Sequence, residues 1–183
     1  MDPIVDQRLL TRFQMVSSTL AGLVAVLGVL VLFGWALDIQ IIKGVIPGIG
    51  TTMKPNTAVG FLFSGMALSL VTATRKPWSR RAIQLLALGV LFIGAFTLLE
   101  YATGWNLRID ELLFLERLSP PAAMPGRMSP VTAAAFALAG IALIFIDGEN
   151  RAGFLIAQFQ AVLVGVAAFL ICTGYLYGVT ALY

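Results

Sequence analysis

An all-α fold is predicted: a polytopic membrane bundle of five transmembrane helices built from two and a half tandem helical hairpins. Three observations carry this. Hydrophobic residues make up 59% of the 183 residues and charged residues 11%, far below the roughly 25% charge of a soluble chain, and mean hydropathy is +0.93. Next, a hydrophobic unit recurs. The stretch 53–70 (MKPNTAVGFLFSGMALSL) aligns with 128–145 (MSPVTAAAFALAGIALIF), placing Met53, Pro55, Thr57, Ala58, Phe61, Gly65, Ala67 and Leu68 on Met128, Pro130, Thr132, Ala133, Phe136, Gly140, Ala142 and Leu143. Finally, Gly34, Trp35, Leu37 and Ile39 pair with Gly104, Trp105, Leu107 and Ile109 just before each copy, and Tyr175-Leu-Tyr-Gly178 echoes Tyr101-Ala-Thr-Gly104.

A bilayer crossing takes about 20 mostly apolar residues, and five stretches qualify: 16–37, 56–72, 82–102, 131–146 and 153–177. They form one membrane domain, with repeat 1 at 16–74, repeat 2 at 82–148 and a partial repeat 3 at 153–183. Mixed charge precedes the first span, which is longer than the apolar core of a secretory signal, so no signal peptide is expected. Arg75, Lys76, Arg80 and Arg81 crowd one short loop, and lysine and arginine near span ends stay cytoplasmic. The N-terminus, with Arg8 and Arg12, is then inside, both Gly-Trp loops are outside, and five spans put the end of this chain outside. A multi-pass protein of a bacterial inner membrane is the expected setting.

The net charge of +3 resides largely in that basic loop, which has its own topological reason and faces anionic headgroups. No nucleic-acid partner is inferred. Cys172 is the single cysteine, so no internal disulfide forms. In its apolar helix it reads as buried, inert packing.

Each Met-x-Pro-x-Thr-Ala opening is a helix start, with proline in the first turn and Ser129 or Asn56 placed to cap backbone N–H groups. Either it is only a folding device, or the two equivalent N-termini face one polar or anionic ligand. Small residues follow at packing intervals: Gly60, Ser64, Gly65 and Gly140, with Ala135 and Ala139. They permit close helix approach, and the two equivalent helices are expected to cross near Gly65 and Gly140. Between repeats, 107–118 mixes apolar and charged residues, fitting a short surface helix or a loop packed on the helix ends. Pro120, Pro121 and Pro125 then impose extended chain.

Histidine is absent. Ser-His-Asp and Cys-His arrangements, histidine-ligated haem and the usual zinc clusters are therefore not expected, nor is a phosphate loop of the G-x-x-x-x-G-K-[ST] type. No enzyme activity, cofactor or metal is expected. Glu100 lies at or inside a span edge, where an ionisable group is a functional hypothesis by default. It is either interfacial, hydrated or paired with Arg108 or Arg127, or buried, taking a ligand amine or sensing protons. Trp35, Tyr101, Trp105, Tyr175 and Tyr177 gather at the outer ends, as an aromatic belt or as the lining of a chamber for a small apolar, aromatic or amphipathic ligand. The candidate ligand-binding set is Trp35, Thr57, Glu100, Tyr101, Trp105 and Thr132.

The repeated MKPNTAVGFLFSGMAL and MSPVTAAAFALAGIAL helices, with EYATGWNLRIDELLF between them and PGRMSP before the second, resemble the N-terminal membrane region of bacterial sensor histidine kinases and diguanylate cyclases. The resemblance runs from about Phe33 onward. It implies hairpin repeats attached to cytoplasmic PAS, kinase or GGDEF parts, and it carries no catalytic residues. No output domain follows in this chain and the third hairpin lacks a return helix, which points either to a piece of a longer receptor or to a stand-alone relative in another membrane assembly. The expected function is a membrane-embedded sensory or ligand-binding module without its own output domain. An accessory or structural subunit of a membrane complex, acting through a protein partner or as a homo-oligomer, is the alternative. A transporter is a minor third class, because the repeats share one orientation and mid-span polar residues are few: Ser64, Ser69, Thr97 and Gln158.

Overall fold

The computed structural model describes residues 7–44, 52–73, 77–109, 113–114, 126–146 and 151–179. Among these, every regular element is a helix: α1 (Gln7–Ala36), α2 (Gln40–Lys43), α3 (Pro55–Ala73), α4 (Pro77–Thr103), α5 (Pro130–Ile146) and α6 (Arg151–Tyr177). Four of them, α1, α3, α4 and α6, are long and apolar enough to cross a membrane, so the chain is membrane-embedded. The helix α5 is equally apolar but has 17 residues, about 25 Å at 1.5 Å per residue. Arg75, Lys76, Asp110, Glu111, Glu116, Arg117, the three prolines and most of 107–118 lie outside the described residues. The stretch that is described, 104–108, carries no helix.

Proline opens α3, α4 and α5, as its missing N–H allows. At the other ends, a residue with left-handed backbone stops each of α1, α4 and α6: Asp38 at φ 56°, Gly104 at φ 73° and Gly178 at φ 69°. The turn after α1 is closed by Ile39 N–H donating to Gly34 O at 2.9 Å, and that after α6 by Val179 N–H to Gly174 O at 2.9 Å. This is the pattern that satisfies carbonyls at a helix end.

Packing runs as a row, α1 on α3, α3 on α4, α4 on α5 and α5 on α6, with α3 also touching α5. Two hairpins repeat one geometry. In the first, a Cβ on Gly28 would lie 2.6 Å from Ala58 O and 2.8 Å from Leu62 N, and one on Gly65 would lie 2.6 Å from Ala21 O and Ala25 N. In the second, a Cβ on Gly94 would run into Ala137 N and lie 2.5 Å from Ala133 O, and one on Gly140 would lie 2.6 Å from Leu91 N. Only glycine tolerates backbone this near. The two sets superpose position by position, with α3 and α5 related by the 75-residue shift seen in sequence and α1 and α4 by 66 residues (Gly28 to Gly94, Ala25 to Leu91).

Three expectations are corrected here. Gly65 and Gly140 do not meet each other, since each faces the first helix of its own hairpin. The equivalent helices α3 and α5 touch instead through Phe136, whose ring carbons occupy the space above Gly60 and stand edge-on to Phe61 at 5.5 Å between centroids. The Gly-Trp alignment is one helical turn out of register: Gly34 lies inside α1 against Ile42, whereas Gly104 is the left-handed stop of α4. Cys172 is exposed rather than buried.

Replacing Gly94 by valine should cost about 1–3 kcal/mol through overpacking, read as a lower unfolding midpoint in detergent or bicelles. Gly22, where a Cβ meets nothing within 4 Å, is the control: Gly22→Ala should leave stability unchanged or raise it by up to about 1 kcal/mol.

Candidate functional site

The chemistry collects at the end of the bundle where α1 and α4 stop and α3 and α5 begin. In the first hairpin, Trp35 is 8% exposed and its Nε1–H donates to Met53 O at 2.9 Å. Met53 N–H in turn donates to Lys43 O at 2.8 Å, which joins the chain just after α2 to the chain just before α3. Lys43 is 5% exposed, holds its Nζ 4.5 Å from the Trp35 ring and pairs with the exposed carboxylate of Asp38. Trp35 shares a buried cluster with Val31 and Ala58, against which Leu27, Leu32 and Phe114 pack, and the Phe114 ring is 6.1 Å away.

The second hairpin repeats the arrangement with other residues. Tyr101, 66 positions after Trp35, donates its hydroxyl to Met128 O at 3.0 Å, and Met128 is the counterpart of Met53. Arg127 places its guanidinium 5.3 Å from the Tyr101 ring and its Nη2 3.3 Å from Glu100 Oε2. Glu100 is 0% exposed and Arg127 8%. The other carboxylate oxygen, Oε1, accepts Leu107 N–H at 2.7 Å, so Glu100 fastens the chain leaving α4 as well as the chain entering α5. Each hairpin end therefore holds an aromatic donor on a methionine carbonyl, a cation over that ring and an acid on that cation.

Helix starts complete the site. Ser129 Oγ accepts Thr132 N–H at 3.2 Å and lies 2.9 Å from Thr132 Oγ1, which caps α5 as expected. Asn56 does something different: its Nδ2 donates to Ile109 O at 3.2 Å, tying the start of α3 to the second hairpin's loop. Thr57 is buried in the first turn of α3, beside Ala58 of the Trp35 cluster.

Of the six candidate residues, Trp35 and Thr57 thus belong to the first hairpin end, and Glu100, Tyr101 and Thr132 to the second. Glu100 is paired with Arg127 and buried together with it, joining what were alternatives in the sequence. Trp105 is 64% exposed and Tyr177 82%, consistent with rings at headgroup level, while the side chain of Tyr175 lies outside the described atoms. Among the mid-span polar residues, Thr97 Oγ1 donates to Ile93 O within its own helix at 2.9 Å. A concavity lined by Gln7, Arg8, Thr11, Arg12 and Met15 occurs at the far end of α1 from Trp35.

Sequence reasoning missed Lys43, Asp38 and the two methionine carbonyls. No spacing signalled them, since Met53 lies 18 residues after Trp35 but Met128 lies 27 after Tyr101. No group of three or more histidine, cysteine, aspartate or glutamate residues suited to a metal occurs among the described residues. The chain matches no protein-family model, no curated protein and no solved structure.

Arg127→Met should destabilise the protein by about 3–5 kcal/mol, because it leaves a buried carboxylate without its cation. Pairing it with Glu100→Leu should recover much of that loss, as measured by unfolding in bicelles. Tyr101→Phe removes one hydrogen bond to a carbonyl and should cost about 0.5–1.5 kcal/mol, whereas Trp35→Phe also leaves a cavity at a buried site and should cost more.

Proposed function

We propose that the chain is a non-enzymatic, membrane-embedded sensory module of a bacterial inner membrane, in which a ligand or ionic change at the Trp35–Tyr101 end alters helix packing and is passed to an effector at the other end. The basic loop places that other end in the cytoplasm by the positive-inside rule. The observation that carries the reading is Glu100: a fully buried acid at the end of a membrane helix, bonded at once to Arg127 before α5 and to the Leu107 amide after α4. A charge in that position is costly to retain for packing alone, because a buried ion pair is often no more stable than apolar side chains of the same volume. It is suited to a switch, since one exchange of partner frees two connections together. The exposed Trp105 and Tyr101 beside it offer apolar surface to a small amphipathic ligand carrying a cationic or polar group.

A second reading, an accessory subunit of a larger membrane assembly, is favoured by one observation. Only 6% of the apolar stretch of α6 is buried, against 28% of that of α4, although the two helices match in length and in the way they end.

The sensory reading is tested by adding small apolar and amphipathic compounds to the protein in nanodiscs and following its melting temperature. A ligand at 100 times its Kd stabilises the folded state by about 2.7 kcal/mol, a shift of several degrees for a chain of this size. The expected result is a shift in the wild type that is lost in Trp105→Ala and in Glu100→Gln. A compound whose shift survives both substitutions binds elsewhere and removes this site.

A further inference from the structure

The groove that α4 offers to α5 is made by four residues. Ala87 packs in a cluster with Leu143, Leu91 lies under Gly140, Gly94 lies under Ala133 and Ala137, and Leu98 packs against the cluster that holds Met128, Ala133 and Phe136. Their counterparts in α1 are Ala21, Ala25, Gly28 and Leu32, and these are covered by α3 at Gly65, Ala58 and Leu62 in the same order. Helix α6 is a third copy of this first-helix type. It has the same length as α4, 27 residues, and its left-handed stop, Gly178, follows it as Gly104 follows α4. The matching positions in α6, 74 residues beyond those of α4, are Ala161, Gly165, Ala168 and Cys172.

All four are exposed, and a Cβ on Gly165 would meet nothing within 4 Å. Spaced four, three and four apart, they share one face of the helix. Around the rest of its exposed surface α6 presents Phe159, Val162, Val166 and Phe169, the bulky side chains expected toward lipid. The small-residue face departs from that surface, and it does so at the positions that receive a helix in both other copies.

We infer that this face of α6 is a docking groove for one antiparallel transmembrane helix of a partner polypeptide. That helix resembles α3 and α5, with a glycine over Gly165 as Gly140 lies over Leu91, and an alanine over Ala168 as Ala133 lies over Gly94. A second copy of the chain does not supply it. Helices of the required direction are α3 and α5, and in each copy their glycine faces are already closed on α1 and α4. The inference rests on the accessory reading and names the chemistry of its partner.

The single cysteine provides the test, since Cys172 matches Leu98, which packs against the cluster that includes Ala133. The full chain is co-expressed with a separate peptide of residues 126–147, the α5 sequence, carrying Ala133→Cys, and membranes are oxidised. The expected result is a disulfide between Cys172 and the peptide, reduced at least tenfold when the chain carries Gly165→Leu or the peptide carries Gly140→Leu. Because Gly165 is exposed, Gly165→Leu should leave the melting temperature of the chain unchanged, so a lost cross-link reports the groove. No cross-link, or one indifferent to both leucines, overturns the proposal. A Cys172–Cys172 disulfide between chains that displaces the peptide also overturns it and gives the face to a second copy. Failure here leaves the accessory reading standing through other faces, whereas purification of the chain free of other membrane subunits removes that reading itself.

Discussion

Helices already surrounded by lipid gain little by hiding apolar side chains from one another, so this bundle depends on how closely its backbones can approach. Gly28, Gly65, Gly94 and Gly140 supply that approach. At each of them a Cβ would lie within 2.7 Å of neighbouring backbone, a distance that no side chain can accommodate without moving a helix. Dispersion contacts and weak Cα–H···O contacts accumulate along such seams. The row of helices follows from where these glycines point: Gly28 and Gly65 close α1 on α3, and Gly94 and Gly140 close α4 on α5.

A second constraint acts at the hairpin ends, where chain must leave one helix and enter the next without stranding polar backbone in hydrocarbon. Both hairpins meet it by covering a methionine carbonyl with an aromatic donor and covering the ring with a cation. They differ in how the cation is balanced. Lys43 is neutralised by Asp38, whose carboxylate stays in contact with solvent, while Arg127 is neutralised by Glu100 inside the protein. The first end is therefore a surface device of modest electrostatic worth. The second carries a high desolvation cost matched by specific partners. This asymmetry between equivalent positions is why the functional reading centres on the second end.

Much of this was legible in the residues. Hydrophobic runs located the helices, the 75-residue repeat identified α3 and α5 as equivalents, and Glu100 was recognisable as an acid at or inside a span edge. The register of α1 against α4 was not, because the Gly-Trp pair that catches the eye sits in the last turn of one helix and just beyond the end of the other. Asp38 adopts the left-handed conformation that sequence reasoning assigns to glycine, so no glycine marks the stop of α1 as Gly104 marks that of α4. Gly65 and Gly140 announced close packing but not their partner, since a small residue says only that something comes near. Direction is a property of the assembled bundle. The same reason defeated Cys172: an apolar flank means burial in a soluble protein, but in a membrane it is equally the mark of a lipid-facing or partner-facing helix.

The two kinds of helix contact also differ in stiffness. Within each hairpin, glycine meets backbone. Between the hairpins, Gly60 meets the ring of Phe136 and Gly89 the ring of Phe63, with Phe61 edge-on to Phe136. Backbone atoms in regular helices have nowhere to go, whereas an aromatic ring can turn about its side-chain torsions and still fill its space. Any rearrangement is thus most easily taken up between the hairpins, leaving each hairpin intact. Asn56 reaches across that same boundary to Ile109 O, in the loop that Glu100 holds through the neighbouring Leu107 amide. A change in the Glu100 ion pair is therefore connected, through Leu107, Arg108 and Ile109 and the Asn56 hydrogen bond, to the start of the helix that carries the ring seam. In this architecture a signal would travel as a shift of one rigid hairpin against the other.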